Sequence, residues 1–137
     1  MNAGYSGTPL LKKLGVGDGT LLRTIQAPDA FSQWLAVQTV LFEPAAGSER
    51  ADVVILFVAW QRELVELLPQ AVDRLKIDGG LWIAWPKRAS KAPTDISEND
   101  LRDLILPIGL VDNKVCAIDE QWSGLRFVWR KELRSRT

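Results

Sequence analysis

Apolar residues follow two patterns that alternate along the chain: continuous runs and helical spacing. Residues 52–58 (Asp-Val-Val-Ile-Leu-Phe-Val) and 81–85 (Leu-Trp-Ile-Ala-Trp) are nearly continuous apolar runs, which are typical of strands buried on both faces. The segment between them has apolar residues at helical spacing: Leu64, Leu68, Ala71, Val72 and Leu75. This order predicts a strand–helix–strand unit, and such units are right-handed in nearly all proteins.

Proline and glycine mark the boundaries within this unit. Pro69 falls inside the helical segment, and a proline costs about 3 kcal/mol in a straight helix. A kink, or a new helix that begins at Pro69, is therefore expected. Asp78-Gly79-Gly80 has the composition of a turn and is predicted to separate the helix from the second strand. Pro86 is predicted to end that strand.

Four elements are predicted before this unit. They are a helix from Pro9 to Gly15 capped by Thr8, a strand over Thr20–Ile25, a helix capped by Asp29, and a short strand over Gln38–Phe42. Serine, threonine and aspartate are typical N-terminal caps, and proline is typical of the first helical turn. The helix after Asp29 carries Phe31, Trp34 and Leu35 on one face.

Three elements and a tail are predicted after it. Ser97 and Asp100 resemble a capping box and open a helix that contains Leu101, Leu104, Ile105 and Ile108. The strands Leu110–Ile118 and Leu125–Trp129 are joined by the short segment Asp119–Gly124, so they are expected to pair antiparallel. The basic tail, Arg130–Thr137, is expected to fray.

Together these elements predict one α/β domain over residues 1–137. Strands that alternate with helices favour a sheet covered by helices on both faces. The predicted architecture is a three-layer, Rossmann-like sheet of about six strands. Most of the strands are expected to be parallel, with an antiparallel hairpin at the C-terminus.

The composition excludes several kinds of chemistry. Lys plus Arg equals Asp plus Glu, 17 each, so the chain lacks the basic excess that nucleic-acid binding needs. It has no histidine and one cysteine, Cys116, which excludes His-dependent triads and a Cys/His zinc site. No metal site is predicted, and Cys116 is interpreted as a buried, unreactive thiol. Residues 1–7 lack the pattern of a signal peptide and no apolar run could span a bilayer, so a cytoplasmic location without a membrane partner is expected.

Ligands of open α/β sheets bind beyond the carboxyl ends of the strands. That rule nominates Gln26–Asp29, Glu43, Trp60-Gln61 and Pro86-Lys87. Together with side-chain chemistry it gives a set of candidate ligand-binding residues: Asp29, Glu43, Trp60, Lys87, Ser90, Trp122 and Ser123.

Lys87 follows a buried strand, where its charge could meet an anionic group. Arg88 and Lys91 follow closely, and Ser90 could add a hydroxyl donor. The alternative interpretation is a solvated basic loop.

The other candidates also have two interpretations. Glu43, at the end of the predicted second strand, could bind ribose hydroxyls or be a solvated loop carboxylate. Trp122-Ser123, on the predicted hairpin connection, and Trp60 could line a pocket or partner surface, or could pack against the sheet. The segment Gly4–Thr8 could be an anion-binding loop or a leader that covers the sheet.

Asp52–Trp129 resembles the carboxyl-terminal half of class I S-adenosylmethionine-dependent methyltransferases. In those proteins a buried strand, a helix, a Leu-x-x-Gly-Gly turn and a strand ending near proline precede a helix and an antiparallel hairpin. Leu75-Lys76-Ile77-Asp78-Gly79-Gly80-Leu81-Trp82-Ile83 looks like that turn and strand. The resemblance implies S-adenosylmethionine as a cofactor.

A second resemblance covers nearly the whole chain. The motifs that carry it are Ala3-Gly4-Tyr5-Ser6-Gly7-Thr8-Pro9-Leu10, Asp52-Val53-Val54, Gly80-Leu81-Trp82-Ile83, Pro86-Lys87 and Trp122-Ser123-Gly124-Leu125-Arg126. They are similar to a bacterial family known only as a domain of unknown function. The resemblance implies a small protein with a truncated, methyltransferase-like fold, and it implies no activity.

The turn after the first strand differs from that of a methyltransferase. Its sequence, Ile25–Phe31, has no glycine, and Pro28 removes a backbone donor. The leading hypothesis is therefore a non-catalytic domain that binds a protein or small molecule without a cofactor. The alternatives are a diverged S-adenosylmethionine-dependent methyltransferase and homo-oligomerisation through the exposed edge of the C-terminal hairpin.

Overall fold

A computed structural model describes residues 9–134 of the chain, so Thr8 and the Gly4–Thr8 loop lie outside the described residues. The helices are α1 (Leu10–Leu14), α2 (Asp29–Ala36), α3 (Gln61–Asp73), α4 (Glu98–Ile105) and α5 (Lys131–Arg134). The strands are β1 (Leu21–Ile25), β2 (Glu43–Pro44), β3 (Ala51–Phe57), β4 (Leu75–Pro86), β5 (Leu110–Ala117) and β6 (Trp122–Trp129). Short 3₁₀ turns cover Arg88–Ser90 and Leu106–Ile108.

Six strands form one sheet in the order β2-β1-β3-β4-β6-β5. The neighbours among β2, β1, β3 and β4 are parallel. β6 pairs antiparallel with both β4 and β5. The predicted fold class, a mostly parallel Rossmann-like sheet with a C-terminal antiparallel hairpin, is confirmed.

Helices cover both faces of the sheet. The helices α3 and α4 pack on one face, over a cluster that includes Leu56 and Ile83. The helices α1 and α2 pack on the other face, over a cluster that includes Phe57 and Trp82. Because successive strand residues point to opposite faces, the central strands need apolar residues at every position. None of the helices in residues 9–134 is long and apolar enough to cross a bilayer.

The predicted turn at Asp78-Gly79-Gly80 is wrong, because β4 runs from Leu75 to Pro86 without a break. Ala51 pairs with Leu75 and Val53 pairs with Gly80. Four residues of β4, 76–79, therefore form a bulge opposite a single residue of β3, Asp52. A Cβ atom on Gly79 would lie 2.7 Å from the carbonyl oxygen of Asp52. Bulges and turns both favour glycine, so the local pattern could not separate them.

Of the two outcomes expected at Pro69, a new helix that begins there is wrong, and a kink stays a prediction. α3 runs from Gln61 to Asp73 with Pro69 inside it. Proline cannot donate to the carbonyl of Val65, four residues earlier. Pro69 and Val65 are both exposed, so water can reach that carbonyl, and the helix continues.

Two boundaries differ in the first half of the chain. Asp29 is the first residue of α2, and Pro28 takes the N-cap position without a side-chain bond. The predicted strand over Gln38–Phe42 is wrong, because the only paired residues in this region are Glu43–Pro44, beside the amino end of β1. Pro44 lacks an N–H group, which limits the strand to the sheet edge.

Two boundaries differ in the second half. Trp122 and Ser123 belong to β6 rather than to the hairpin connection, because Trp122 pairs with Pro86 of β4. The start of the predicted frayed tail forms α5 instead. Just before α5, the Arg130 N–H donates to the carbonyl of Gly109, the residue before β5, at 3.0 Å, which places the start of α5 beside the sheet.

Asp52 connects three strands at the amino end of the sheet. Its carboxylate accepts a hydrogen bond from the Leu21 N–H at 2.9 Å and pairs with Lys76 Nζ at 3.0 Å. Burial alone would raise the pKa of Asp52, but the contacts with Leu21 and Lys76 outweigh burial and lower it.

Replacing Asp52 with asparagine is expected to lower the free energy of unfolding by roughly 1 kcal/mol near neutral pH, since the ion pair is partly exposed. A lowered folded-state pKa stabilises the protein above the unfolded-state pKa, and this stabilisation is lost as pH falls through the folded-state value. Urea denaturation should therefore show that the difference between wild type and Asp52→Asn shrinks in strong acid. Asp73→Asn, which removes an exposed carboxylate paired with Arg74, is the control. A difference independent of pH would contradict this assignment.

Candidate functional site

The carboxyl ends of β1, β3 and β4 and the start of β6 meet at one edge of the sheet, the carboxyl edge. From β1 the chain passes to β2 on one side and then to β3 on the other. The strand order therefore reverses between β1 and β3, and open α/β sheets bind ligands at such a point. The space between the ends of β1 and β3 is named the crevice.

A side chain of the protein itself spans the crevice. Gln26, which follows β1, donates a hydrogen bond from Nε2 to the carbonyl oxygen of Phe57 at the end of β3, at 2.8 Å. The same Nε2 lies 3.4 Å from Oε2 of Glu63. The backbone of Gln26 has a φ of 60°, a left-handed conformation that costs a non-glycine residue roughly 1–2 kcal/mol. Such conformations persist where surrounding contacts fix them, and the two side-chain contacts do so.

The amino terminus of α3 also faces the crevice, and helix amino termini attract anions. Here carboxylates of the chain occupy it. Glu63 Oε1 accepts hydrogen bonds from the N–H groups of Ala59 at 2.9 Å and Trp60 at 3.1 Å. Asp95 Oδ1 accepts one from the Gln61 N–H at 2.7 Å. These three backbone donors are therefore already engaged.

A cleft of about 590 Å³ opens next to the crevice, at the end of β4. Lys87, Arg88 and Lys91, which we name the basic wall, are among its lining residues, and Ser123 of β6 also lines it. Across the described residues, 9–134, no carboxylate pairs with any side chain of the basic wall.

The cleft is also lined by three carboxylates, Asp95, Glu98 and Asp100, which have other partners. Asp100 accepts hydrogen bonds from the N–H and hydroxyl of Ser97 at 2.8 and 2.9 Å, which confirms the predicted capping box of α4. Glu98 pairs with Arg102 at 2.9 Å. Asp95, as described, caps α3.

The structure brings three predicted residues together at this cleft. Lys87 and Ser123 line it, and Ser90 lies in the turn that carries the basic wall. The Ser90 hydroxyl donates to the carbonyl of Lys87 at 2.7 Å and accepts from the Ala92 N–H at 3.2 Å. Ser90 therefore shapes the turn.

The two tryptophan candidates lie in different surroundings. The ring of Trp122 meets the ring of Phe57 edge-on, with centroids 5.2 Å apart, and packs on the α1/α2 side of the sheet. Trp60 precedes α3 and borders a separate hollow with Arg62 and Asp95.

Asp29 and Glu43 do not join the cleft. Asp29 is exposed at the start of α2, just beyond the turn that contains Gln26. Glu43 pairs with Leu21, at the amino end of β1. Glu43 therefore lies where the parallel strands begin, whereas Lys87 lies at the carboxyl edge, where they end.

Sequence reasoning missed Glu63, Thr94 and Asp95. The Thr94 hydroxyl donates to the carbonyl of Ala59 at 2.6 Å. Glu63 stands three residues after Trp60, the position of the acid in a capping box, so a local signal existed. Thr94 and Asp95 come from a loop more than thirty residues away, and no local pattern indicates their contacts.

Burial raises the pKa of the Cys116 thiol, and the charges of Lys13 and Lys87 offset only part of this effect. A raised pKa reduces the thiolate fraction and with it the reactivity of the cysteine. Residues 9–134 contain no group of three His, Cys, Asp or Glu side chains that could hold a metal ion.

Apolar surface is exposed at two other places. Seven residues of α3, α4 and the following turn line an apolar groove of about 390 Å³: Leu64, Val65, Leu68, Pro69, Val72, Leu104 and Ile108. The edge strand β5 exposes Val111 and Val115. Its register shifts between Asp112 and Lys114, and bulges and lysines protect edges from pairing. Homo-oligomerisation through this edge stays a prediction.

The sequence matches the family described as "Protein of unknown function (DUF3052)" over residues 24–131. The chain belongs to this family. The DUF3052 match begins within β1 and ends at the first residue of α5, so it includes the crevice and the basic wall. None of the curated proteins compared with the chain matches it.

Solved structures share the fold of this DUF3052 member. LepI in complex with SAM has a TM-score of 0.54 and 10% identity, over 88% of this chain and 39% of that chain. Aeropyrum pernix fibrillarin with natively bound S-adenosyl-L-methionine has a TM-score of 0.52 and 14% identity, over 87% and 73%. A "putative type 11 methyltransferase" from Sulfolobus solfataricus has a TM-score of 0.60 and 12% identity, over 89% and 90%.

This DUF3052 member thus spans about two fifths of the length of the LepI chain. Identities this low show the fold alone, and the methyltransferase-like, Rossmann-like fold is confirmed.

Proposed function

We propose that the chain is a non-catalytic binding domain that holds a small ligand at the carboxyl edge of its sheet. The observation that carries the proposal is the contact of Gln26 with Phe57 and Glu63 across the crevice. Glu63 in turn engages the N–H groups of Ala59 and Trp60. Polar groups that could hold a reacting molecule at this point therefore already have partners within the chain.

The fold raises the question of whether S-adenosylmethionine fits, because the LepI and fibrillarin structures contain it. A turn that lets the backbone approach such a cofactor favours glycine. The turn after β1 is Gln26-Ala27-Pro28, without glycine and with one N–H group missing at Pro28. The Gln26 side chain also spans the crevice. The residues present do not fit this cofactor.

A diverged S-adenosylmethionine-dependent methyltransferase is the second candidate. The fold similarity to structures that contain S-adenosylmethionine favours it. It requires the contact between Gln26 and Phe57 to open, so that the crevice admits the cofactor.

Thermal unfolding in the presence of S-adenosylmethionine or S-adenosylhomocysteine separates the two candidates. We expect no shift of the melting temperature at millimolar ligand. A ligand at about 100 times its dissociation constant would add about 2.7 kcal/mol of stability, or several degrees for a domain of this size. A shift of that size would favour the methyltransferase candidate and overturn the proposal.

If such a shift is observed, Gln26→Gly tests whether the ligand that causes it binds in the crevice. Glycine keeps the left-handed backbone and removes the side chain that spans the crevice. Ligand affinity in the crevice would change in this variant. Arg50→Gln, an exposed change near the amino end of β3, is the matched control and would leave the affinity unchanged.

A further inference from the structure

We propose that the cleft at the end of β4 binds a small anion with at least two negative charges through Lys87, Arg88 and Lys91. The ligand is a small molecule that carries phosphate or carboxylate groups, and the Ser123 hydroxyl adds a donor. This inference rests on the proposed function, because it names the ligand class of the same carboxyl edge.

The pairing of charges around the cleft leaves its cationic groups, rather than its carboxylates, available to a ligand. Its carboxylates each have a partner: Asp95 and Asp100 cap the amino termini of α3 and α4, and Glu98 pairs with Arg102. A carboxylate at a helix amino terminus offsets the positive end of the helix dipole. None of the described carboxylates forms a salt bridge with the basic wall, so its three cationic groups are available to an anion.

The turn that carries the basic wall is held in place before any ligand arrives. The Lys87 N–H donates to the carbonyl of Gln121 at 2.8 Å, and the Lys91 N–H donates to the carbonyl of Arg88 at 3.1 Å. The Ser90 hydroxyl closes the turn through its bond to the Lys87 carbonyl at 2.7 Å. A turn fixed in this way loses little conformational entropy on binding.

Lys91 adds an independent observation. Its φ is 61°, and Lys91 and Gln26 are the two non-glycine residues with positive φ in the described part of the chain. Glycine would adopt this conformation at lower cost. Strained backbone of this kind concentrates at binding sites. Here the strained residue is a lysine whose side chain lines the cleft, where glycine would provide no charge.

The side chains of the wall suit a multivalent anion. The Arg88 guanidinium can bind two oxygens of one phosphate or carboxylate, while Lys87 and Lys91 act as point charges. A volume of about 590 Å³ lies within the range of small-molecule sites. The cleft is open at the surface, so a compact, soluble anion can enter without movement of the sheet.

Isothermal titration with inorganic pyrophosphate and with citrate, at constant ionic strength, tests the proposal. Wild type is expected to bind at least one of them, and the stronger probe distinguishes a phosphate from a carboxylate ligand. The double variant Lys87→Gln/Lys91→Gly is expected to weaken binding by about tenfold or more, because it removes two charge-assisted contacts. Lys91→Gly suits the left-handed backbone, so the variant is expected to fold, with melting monitored by circular dichroism.

Lys114→Gln is the matched control, since Lys114 is an exposed lysine of β5 outside the cleft. It is expected to leave the affinity within about twofold of wild type, as expected when a distant exposed charge is screened. Equal weakening in the control and the double variant would show a general charge effect and overturn the proposal. Absence of binding by both probes at millimolar concentration would also overturn it. Neither result depends on S-adenosylmethionine, so the failure of this inference is distinct from the failure of the proposed function.

Discussion

Replacing Trp82 with alanine is expected to lower the free energy of unfolding by about 3–5 kcal/mol. Trp82 is fully buried in β4 and fills the space between the sheet and α1. Its indole Nε1 donates a hydrogen bond to the carbonyl of Leu14, at the end of α1, at 3.0 Å. The variant therefore loses a large apolar side chain, leaves a cavity, and leaves that carbonyl without its partner.

Trp82→Phe separates these contributions. Phenylalanine keeps a large apolar ring but removes the indole donor and part of the ring volume, so a loss of about 1–3 kcal/mol is expected. Urea denaturation followed by far-ultraviolet circular dichroism measures both variants without relying on tryptophan fluorescence. Equal losses in the two variants would contradict the cavity explanation, because the phenylalanine variant leaves a much smaller space.

Replacing Gly79 with alanine is expected to cost about 1–3 kcal/mol. A Cβ atom there would lie 2.7 Å from the carbonyl oxygen of Asp52 and 3.2 Å from that of Ala51. Both are backbone atoms of β3, so relief of the clash requires the two central strands to separate at the bulge. Urea denaturation measures the loss.

Gly17→Ala is the matched control for Gly79→Ala. A Cβ atom on Gly17 would have one neighbour, Thr20 Oγ1, at 4.0 Å, and its φ lies outside the left-handed range. Alanine at this position reduces the freedom of the unfolded chain, so a change within about 0.5 kcal/mol, or a small gain, is expected. A loss at Gly17 as large as that at Gly79 would show that steric contact with β3 is not the cause.

The sequence predicted some residues of the candidate site, and the tertiary structure placed others elsewhere. The rule that ligands bind beyond the strand ends predicts Lys87, and the side-chain chemistry of the predicted hairpin connection predicts Ser123. The structure places both at one cleft. Glu43 was predicted by the same rule, but it lies at the opposite edge because β2 pairs only with the amino end of β1. The rule depends on where each strand ends, and a short edge strand has no sequence signal strong enough to fix that point.

The contacts at the crevice could be predicted only in part from the sequence. The absence of glycine after β1 was visible in the sequence and already disfavoured a cofactor-binding turn. That Gln26 spans the gap to Phe57, and that Asp95 caps a helix 34 residues away, follows from the packing of separate segments. Contacts between distant residues depend on strand order and helix placement, which the local spacing of residue types does not encode.

The sequence by itself determined the central strands, most helices and the α/β class. Continuous apolar runs bury both faces of β3 and β4, and Ser97 and Asp100 satisfy the backbone donors that open α4; both effects act over a few residues. Only the tertiary structure decided that residues 76–79 form a bulge instead of a turn and that α3 continues through Pro69. In both cases the cause lies outside the local pattern. The backbone of β3 approaches Gly79, and Val65 and Pro69 lie on the exposed side of α3, where solvent is accessible to the backbone.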